Sequence, residues 1–387
     1  MRFVNHPLWQ MGFRPFFTLA FLAGMTLPIL WALMLSGVLA PPTKGVSASQ
    51  WHAHEMFFGF GWAVLGGFLL TSTKTWVKIR GFHGYTLILL ATAWLVERIG
   101  MWFAGNLPAL LFGITSNFFI ATVTALLLWT LLRHRKNDSY RTDNIFFLFM
   151  LPAFVIAKNL LLSEAYFAIG YSMTLGLFRM AFLIMLERTL TQFMKNVFQL
   201  EILRHALLDR AIKLLALGFV FERLLPRGLT ASIALLLALL LLLRLFFWKP
   251  HLALRRLDIG IMYLGYLAII AQLLIEFVGA LIPIIWIGSV SVHVFTFGVM
   301  GLIIPAMLIR ISNGHTGRKV VFDGRDKLAL WIMMLAFVLR VVLPQFYSIL
   351  YPRWIELSAV CWFVCFSLLA WRYIPFLMQA RVDGKPS

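Results

Sequence analysis

Two stretches of the chain hold the residues best suited to binding a metal. His293 stands well inside a long apolar run, and Trp51-His52-Ala53-His54-Glu55 opens another. A neutral imidazole offers one ring nitrogen as a ligand while the other donates a hydrogen bond. A hydrogen bond to a Ser or Thr of a neighbouring helix is the other role open to His293. His52 and His54 are two residues apart, so on a helix they point about 200° away from each other. They are not expected to share one metal. One can face the bundle and the other the surface or a second metal, and either can equally be a polar helix start in water. Trp51 suits an interfacial aromatic belt.

Charged residues recur in other apolar runs, where insertion costs about 2.5–3.5 kcal/mol at least. Glu97-Arg98, Glu222-Arg223 and Arg340 lie in three of them. They suit either ion pairs that join helices or a ring of guanidiniums meeting an anion such as a cofactor carboxylate. Lys158 and Glu276 stand as lone charges, fit for a proton path or for snorkelling. Arg310-Ile-Ser-Asn-Gly314-His315-Thr316-Gly317-Arg318 reads as a loop, its glycines allowing a tight turn with positive φ. Arg14, in Met11-Gly12-Phe13-Arg14-Pro15-Phe16-Phe17, suits a topology anchor. Cys361 and Cys365 are one helical turn apart, as a soft metal pair or as packing. No Walker motif, dinucleotide fingerprint, CxxCH haem attachment or nucleophile elbow occurs.

The elements that position these groups are membrane helices. Of 387 residues, 61% are apolar and 13% charged, which excludes a soluble globular protein, a coiled coil and a disordered chain. Twelve apolar spans fall at roughly 16–37, 54–73, 85–104, 107–132, 145–163, 165–186, 211–226, 228–248, 258–280, 284–309, 328–349 and 355–378. The seventh is short. The first is too long for a signal-peptide core. Such continuous runs suit helices and not barrel strands. Basic residues gather in alternate loops: Lys74 to Arg80, Arg133 to Arg141, Arg188 to Arg210, Lys249 to Arg256 and Arg310 to Lys327. The other loops hold little beyond Lys44, Arg227 and Arg353. Both termini are therefore expected inside, with Arg2 and Arg14 in agreement. The net charge of +19 is a topology signal on this reading, and no nucleic-acid partner is expected.

Three segments align without gaps: His54-Glu-Met-Phe-Phe-Gly59, Tyr171-Ser-Met-Thr-Leu-Gly176 and His293-Val-Phe-Thr-Phe-Gly298. Thr71, Arg188 and Arg310 match downstream of them. Leu95-Val-Glu-Arg98, Val220-Phe-Glu-Arg223 and Phe337-Val-Leu-Arg340 echo one another in the following spans. The reading is one integral membrane domain over 1–387, with repeats 1–140, 141–257 and 258–387 around a pseudo-threefold axis. Chance similarity among apolar helices is the competing explanation.

Together these motifs resemble the NnrS family. The resemblance rests on Gly12-Phe-Arg-Pro-Phe-Phe17, Trp51-His-Ala-His-Glu-Met56, Arg98, His293 and Arg310-Ile-Ser-x-Gly-His-Thr-Gly-Arg318, in order over nearly the whole chain. The chain departs at Arg188-Thr-Leu-Thr-Gln-Phe-Met194, where a Pro-Phe-Phe-like stretch would follow the Arg. The resemblance implies a multi-pass protein of the bacterial inner membrane that holds haem and copper. It also implies a part in the nitric oxide response, in denitrification and under nitrosative stress. The partners implied are the lipid bilayer, nitric oxide or a related small molecule, and a redox protein.

The arrangement is also similar to the catalytic subunit of haem-copper oxidases, where the second and tenth spans supply two axial histidines. Carried over by position, His54 and His293 would ligate a haem and Arg98, Arg223 and Arg340 would hold its propionates. Such a haem has no open position, which points to electron transfer or to loss of one ligand. His52 and His315 are candidates for copper or for structural contacts. Tyr171 occupies the sixth-span position and no adjacent His pair follows the seventh span. The binuclear copper site is incomplete, so oxidase-type reduction of oxygen or nitric oxide is not expected. A transporter of a small molecule, metal or metal chelate is the alternative, suited by the repeats, the buried charges, and Pro28, Pro152 and Pro305.

Overall fold

The computed structural model describes residues 3–42 and 45–384, so Arg2 and Lys44 of the charge-topology reading lie outside the described residues. The described chain is all-helical. We number the main helices α1 (Phe13–Leu35), α2 (Ala48–Val77), α3 (Tyr85–Trp102), α4 (Ala109–Arg133), α5 (Arg141–Leu162), α6 (Phe167–Phe198), α7 (Ala206–Phe219), α8 (Arg227–Phe247), α9 (Leu257–Leu281), α10 (Val290–His315), α11 (Gly324–Phe346) and α12 (Ser348–Met378). Among the described residues ten are long and apolar enough to cross a membrane, all but α3 and α7. The protein is thus a polytopic helical membrane protein. The expected third span is α3, whose 18 residues include Glu97 and Arg98. The expected seventh span, 211–226, is interrupted. Its helix α7 has 14 residues and stops at Phe219, and a 3-10 turn follows at Glu222–Leu224. Fourteen residues rise about 21 Å, less than the ~30 Å hydrocarbon core.

Local chemistry fixes the helix starts. A capping box opens α2, with the Ser47 hydroxyl accepting from the Gln50 N–H and the Gln50 side chain accepting from the Ser47 N–H. Asp323 and Asp326 form the same device at α11. The Thr71 hydroxyl accepts the Phe13 N–H at 2.7 Å, so a residue of α2 caps α1. Leu110, Phe246, Ile349 and Trp371 point outward from their helices. Exposed apolar surface of this kind suits lipid and not water.

The chain forms two compact units. The first comprises Met1–Gly170, Leu308–Val321 and Trp362–Ser387, and the second Tyr171–Met307 and Phe322–Cys361. In the first, Phe60 packs edge-on against Trp362 and Phe366, and Trp62 against Phe154. In the second, Trp248 packs on Tyr266, and the Tyr263 hydroxyl donates to the Trp248 carbonyl.

Among the described residues three spans carry a π-helical turn: Glu55–Gly61 in α2, Thr296–Met300 in α10 and Val338–Val342 in α11. Such turns often sit at functional positions. The first begins right after His54, the second follows His293 by three residues, and the third contains Arg340. The aligned glycines also share a role, each closing against the segment that the sequence pairs with it. A Cβ on Gly59 would lie 2.6 Å from Arg98 Nη1, one on Gly176 2.8 Å from Val220 Cα, and one on Gly298 3.0 Å from the Phe337 ring. A side chain at these crossings would force its neighbour to shift, the Val220 backbone at Gly176 or the Arg98 tip at Gly59.

Candidate functional site

The first unit encloses His54 in an ion network. The imidazole is fully buried. Its Nδ1 lies 3.0 Å from Glu55 Oε1. Its Nε2 lies 3.2 Å from Glu97 Oε1, off the line of a good hydrogen bond. Arg98 pairs with both acids, Nε at 3.1 Å from Glu55 and Nη2 at 3.0 Å from Glu97. Lys158 donates to Glu97 and to the Ser116 carbonyl. Two carboxylates thus face two fixed cations, the condition for keeping four charges out of water. Trp94 supports the group: its ring lies under the Arg98 guanidinium and its Nε1 donates to the Gly59 carbonyl at 3.1 Å. Lys158 is therefore neither a lone charge nor a snorkelling one, because Glu97 gives it a partner at depth.

The same unit separates the neighbouring histidine. His52 stacks on Trp31 at 4.1 Å, turned to other company than His54. Trp51 is buried, edge-on to Trp102. Burial follows because the capping box starts the helix early enough to carry Trp51 into the bundle.

In the second unit, His293 Nδ1 lies 2.6 Å from the Ser289 carbonyl and Nε2 lies 3.1 Å from Arg340 Nη2. A guanidinium only donates and a carbonyl only accepts. The proton therefore sits on Nδ1, and Nε2 presents its lone pair. Arg340 Nη1 also donates to the Tyr351 hydroxyl at 3.1 Å. Arg223 is exposed in the 3-10 turn and acts electrostatically, with Arg340, on Tyr171. Glu276 is no lone charge: Ser291 donates to it, and Gln272 links Ser291 to Arg179.

The motifs around Arg14 and His315–Arg318 also come together in the first unit. Arg14, His315 and Arg318 lie near the end of α12: Arg14 bonds the Leu377 carbonyl, Arg318 the Gln379 side chain, and His315 packs on Phe13. Burial lowers the Arg318 guanidinium from its ordinary value. The expected loop at 310–318 is mostly helix, since α10 runs to His315 and places Arg310 and Gly314 on it. Only Gly317 of the two glycines has positive φ, at +80°. Apolar side chains before Arg310 carry the helix past the point where composition suggests a turn. Cys361 and Cys365 are thiols, not a disulfide.

Sequence reasoning missed a second buried ion group. Glu187 in α6 meets Arg204 Nη2 at 2.5 Å, Lys213 Nζ at 2.9 Å and Arg244 Nη1 at 3.3 Å. Arg244 also donates to the Tyr266 hydroxyl. Arg244 and Arg179 each interrupt a run of apolar residues, which is the signal that could have found them.

Whether these residues suit a porphyrin iron can be judged from the imidazoles. Metal-bound histidines usually donate the second ring N–H to a carboxylate or a carbonyl. His54 has a carboxylate there and His293 a carbonyl, so the Nδ1 side of each ring suits a ligand, while the Nε2 side faces Glu97 in one and Arg340 in the other. Copper differs: among the described residues no group of three or more His, Cys, Asp or Glu is placed to hold a metal ion.

The comparisons with known proteins agree with the motifs. The family model described as NnrS protein matches residues 7–381, and the chain belongs to the NnrS family. No curated protein matches the chain.

Proposed function

We propose that this chain is a haem- and copper-binding protein of the bacterial inner membrane that acts in the nitric oxide response and in resistance to nitrosative stress. The observation that carries the haem assignment is the shared state of two imidazoles, His54 and His293, each tied at Nδ1 to an oxygen of its own unit. On this reading both termini face the cytoplasm and the bilayer is the constant partner. Bound haem supplies an iron that exchanges an electron or takes a diatomic ligand. Glu55 orients the His54 ring, and the Ser289 carbonyl fixes the proton of His293 on Nδ1. Arg340 brings positive charge to His293 and suits an anionic substituent, whereas Arg98 is already matched by Glu55 and Glu97. For copper no residue is assigned.

The test is a reduced-minus-oxidised spectrum of protein purified in detergent. His54→Ala and His293→Ala are expected to lose the haem absorbance while eluting as the wild type does on size exclusion. Full retention of the spectrum in both variants removes the ligand assignment.

A transporter of a small molecule, metal or metal chelate is the second reading. The π turns at His54, His293 and Arg340 favour it, since irregular backbone within spans often lines a substrate path. A colourless wild-type protein that drives substrate-dependent uptake in vesicles would select it.

A further inference from the structure

The first unit gathers positive charge that neither imidazole site uses. Arg14 is fully buried at the start of α1. Its Nη1 donates to the Leu377 carbonyl at 2.9 Å and the Gln379 carbonyl at 2.5 Å, closing the end of α12. Its Nε and Nη2 have no hydrogen-bond partner. These two N–H groups form the side edge of the guanidinium, the edge that grips two oxygens of one anion. A buried donor pair left bare is destabilising, and an acceptor arriving there removes the penalty.

The surroundings set the sign and the size of that acceptor. The charges of Arg381 and Arg318 act on Arg14. Arg381, Lys74 and Arg14 act in turn on His315. Arg381 donates to the His315 carbonyl at 3.1 Å and holds Asp383, so that carboxylate is already engaged. Arg318 lies over the Phe376 ring at 3.9 Å, with its Nη2 on the Gln379 side chain. Four fixed cations thus face one occupied carboxylate. A lone carboxylate ligand would satisfy one fork, whereas a phosphate group offers oxygens to several donors. Basic pockets among helix ends on the cytoplasmic side are also where lipid phosphates are held.

We propose that Arg14, with Lys74, His315, Arg318 and Arg381 around it, forms a binding site for a phosphate-class anion, gripped by the Nε/Nη2 edge of Arg14. The anion is either the headgroup of a phospholipid or free phosphate.

The full chain, purified in phosphate-free detergent, is titrated with inorganic phosphate and, separately, with phosphatidylglycerol against phosphatidylcholine. The thermal unfolding midpoint is read, with native mass spectrometry for retained lipid. One titrant is expected to raise the midpoint by a few degrees, as ligands of the folded state do. A response to phosphate identifies the soluble source, and a response to phosphatidylglycerol alone identifies the lipid. Arg14→Lys keeps the charge and a donor for α12 but lacks the side edge, and is expected to raise the half-saturating concentration about tenfold. Arg318→Gln, at a half-buried position, is expected to raise it roughly threefold, and it carries the comparison should Arg14→Lys not fold. No midpoint response of the wild type to either titrant overturns the site. So does unchanged half-saturation in the variants that fold. Both readouts are independent of haem absorbance.

Discussion

His54 and His293 are held alike at Nδ1 and differently at Nε2. In the first unit Nε2 faces the Glu97 carboxylate, and two acids are matched by Arg98 and Lys158. In the second unit Nε2 faces the Arg340 guanidinium, whose Nη1 donates to the neutral Tyr351 hydroxyl. One imidazole sits in a balanced, fully buried ion network, and the other beside the Arg340 guanidinium at a half-buried position. The difference separates two jobs. Balanced charge holds a ring rigidly, because moving any member strands another in low dielectric. The guanidinium beside His293 brings positive charge, which suits an anionic group.

The largest test of this contrast is removal of the central charge on each side. Glu97→Ala strands Lys158 as a buried cation, leaves Arg98 with Glu55 alone, and is expected to destabilise by about 3–5 kcal/mol. Arg340→Ala removes a charged hydrogen-bond donor from His293 and Tyr351 and is expected to destabilise by about 1.5–3 kcal/mol. Denaturation in mixed micelles measures both. The paired replacement Glu97→Gln with Lys158→Met is expected to recover most of the first loss. Equal losses at Glu97 and Arg340 would erase the distinction between the networks.

A smaller test uses the glycines. The Cβ of Gly59→Ala would meet the tip of the Arg98 side chain at 2.6 Å, and a long side chain can shift. The Cβ of Gly298→Ala would meet Ala268 Cβ at 2.7 Å, which can move only with its helix. Overpacking of this kind costs about 1–3 kcal/mol. Gly298→Ala is expected at the upper end and Gly59→Ala at the lower, with thermal midpoints in detergent as the measure. The reverse order would show that Arg98 is the more rigidly held neighbour.

The helical membrane class was legible because apolar runs of spanning length have few other solutions. The aligned glycines were visible only as a repeat, and their close approach to Arg98, Val220 and Phe337 appears only in the packing. Span seven was not: α7 ends where Glu222 and Arg223 leave the helix, and hydropathy averages across that break. Ion partners were hidden for a related reason. Lys158 and Glu97 are distant in sequence, and no local pattern announces that α5 turns its lysine toward α3. The same holds for Glu187, whose partners Arg204, Lys213 and Arg244 come from separate stretches. Charge inside a span signals that a partner exists, and only packing says which.

The finest distinction between the two imidazoles rests on Tyr351. Its hydroxyl accepts from Arg340 Nη1 at 3.1 Å, so it steadies the guanidinium that His293 faces. Tyr351→Phe removes that acceptor and leaves the Arg340–His293 contact in place. The expected loss is about 1 kcal/mol, the usual net value of one hydrogen bond. The Nδ1 tie to Ser289 does not involve Tyr351, so the haem spectrum is expected to keep its intensity. Denaturation and the reduced-minus-oxidised spectrum are read on the same preparation. A loss as large as that of Arg340→Ala would mean the arginine is useful only when clamped from both sides. The second unit would then be as interlocked as the first, and the contrast would rest on burial alone.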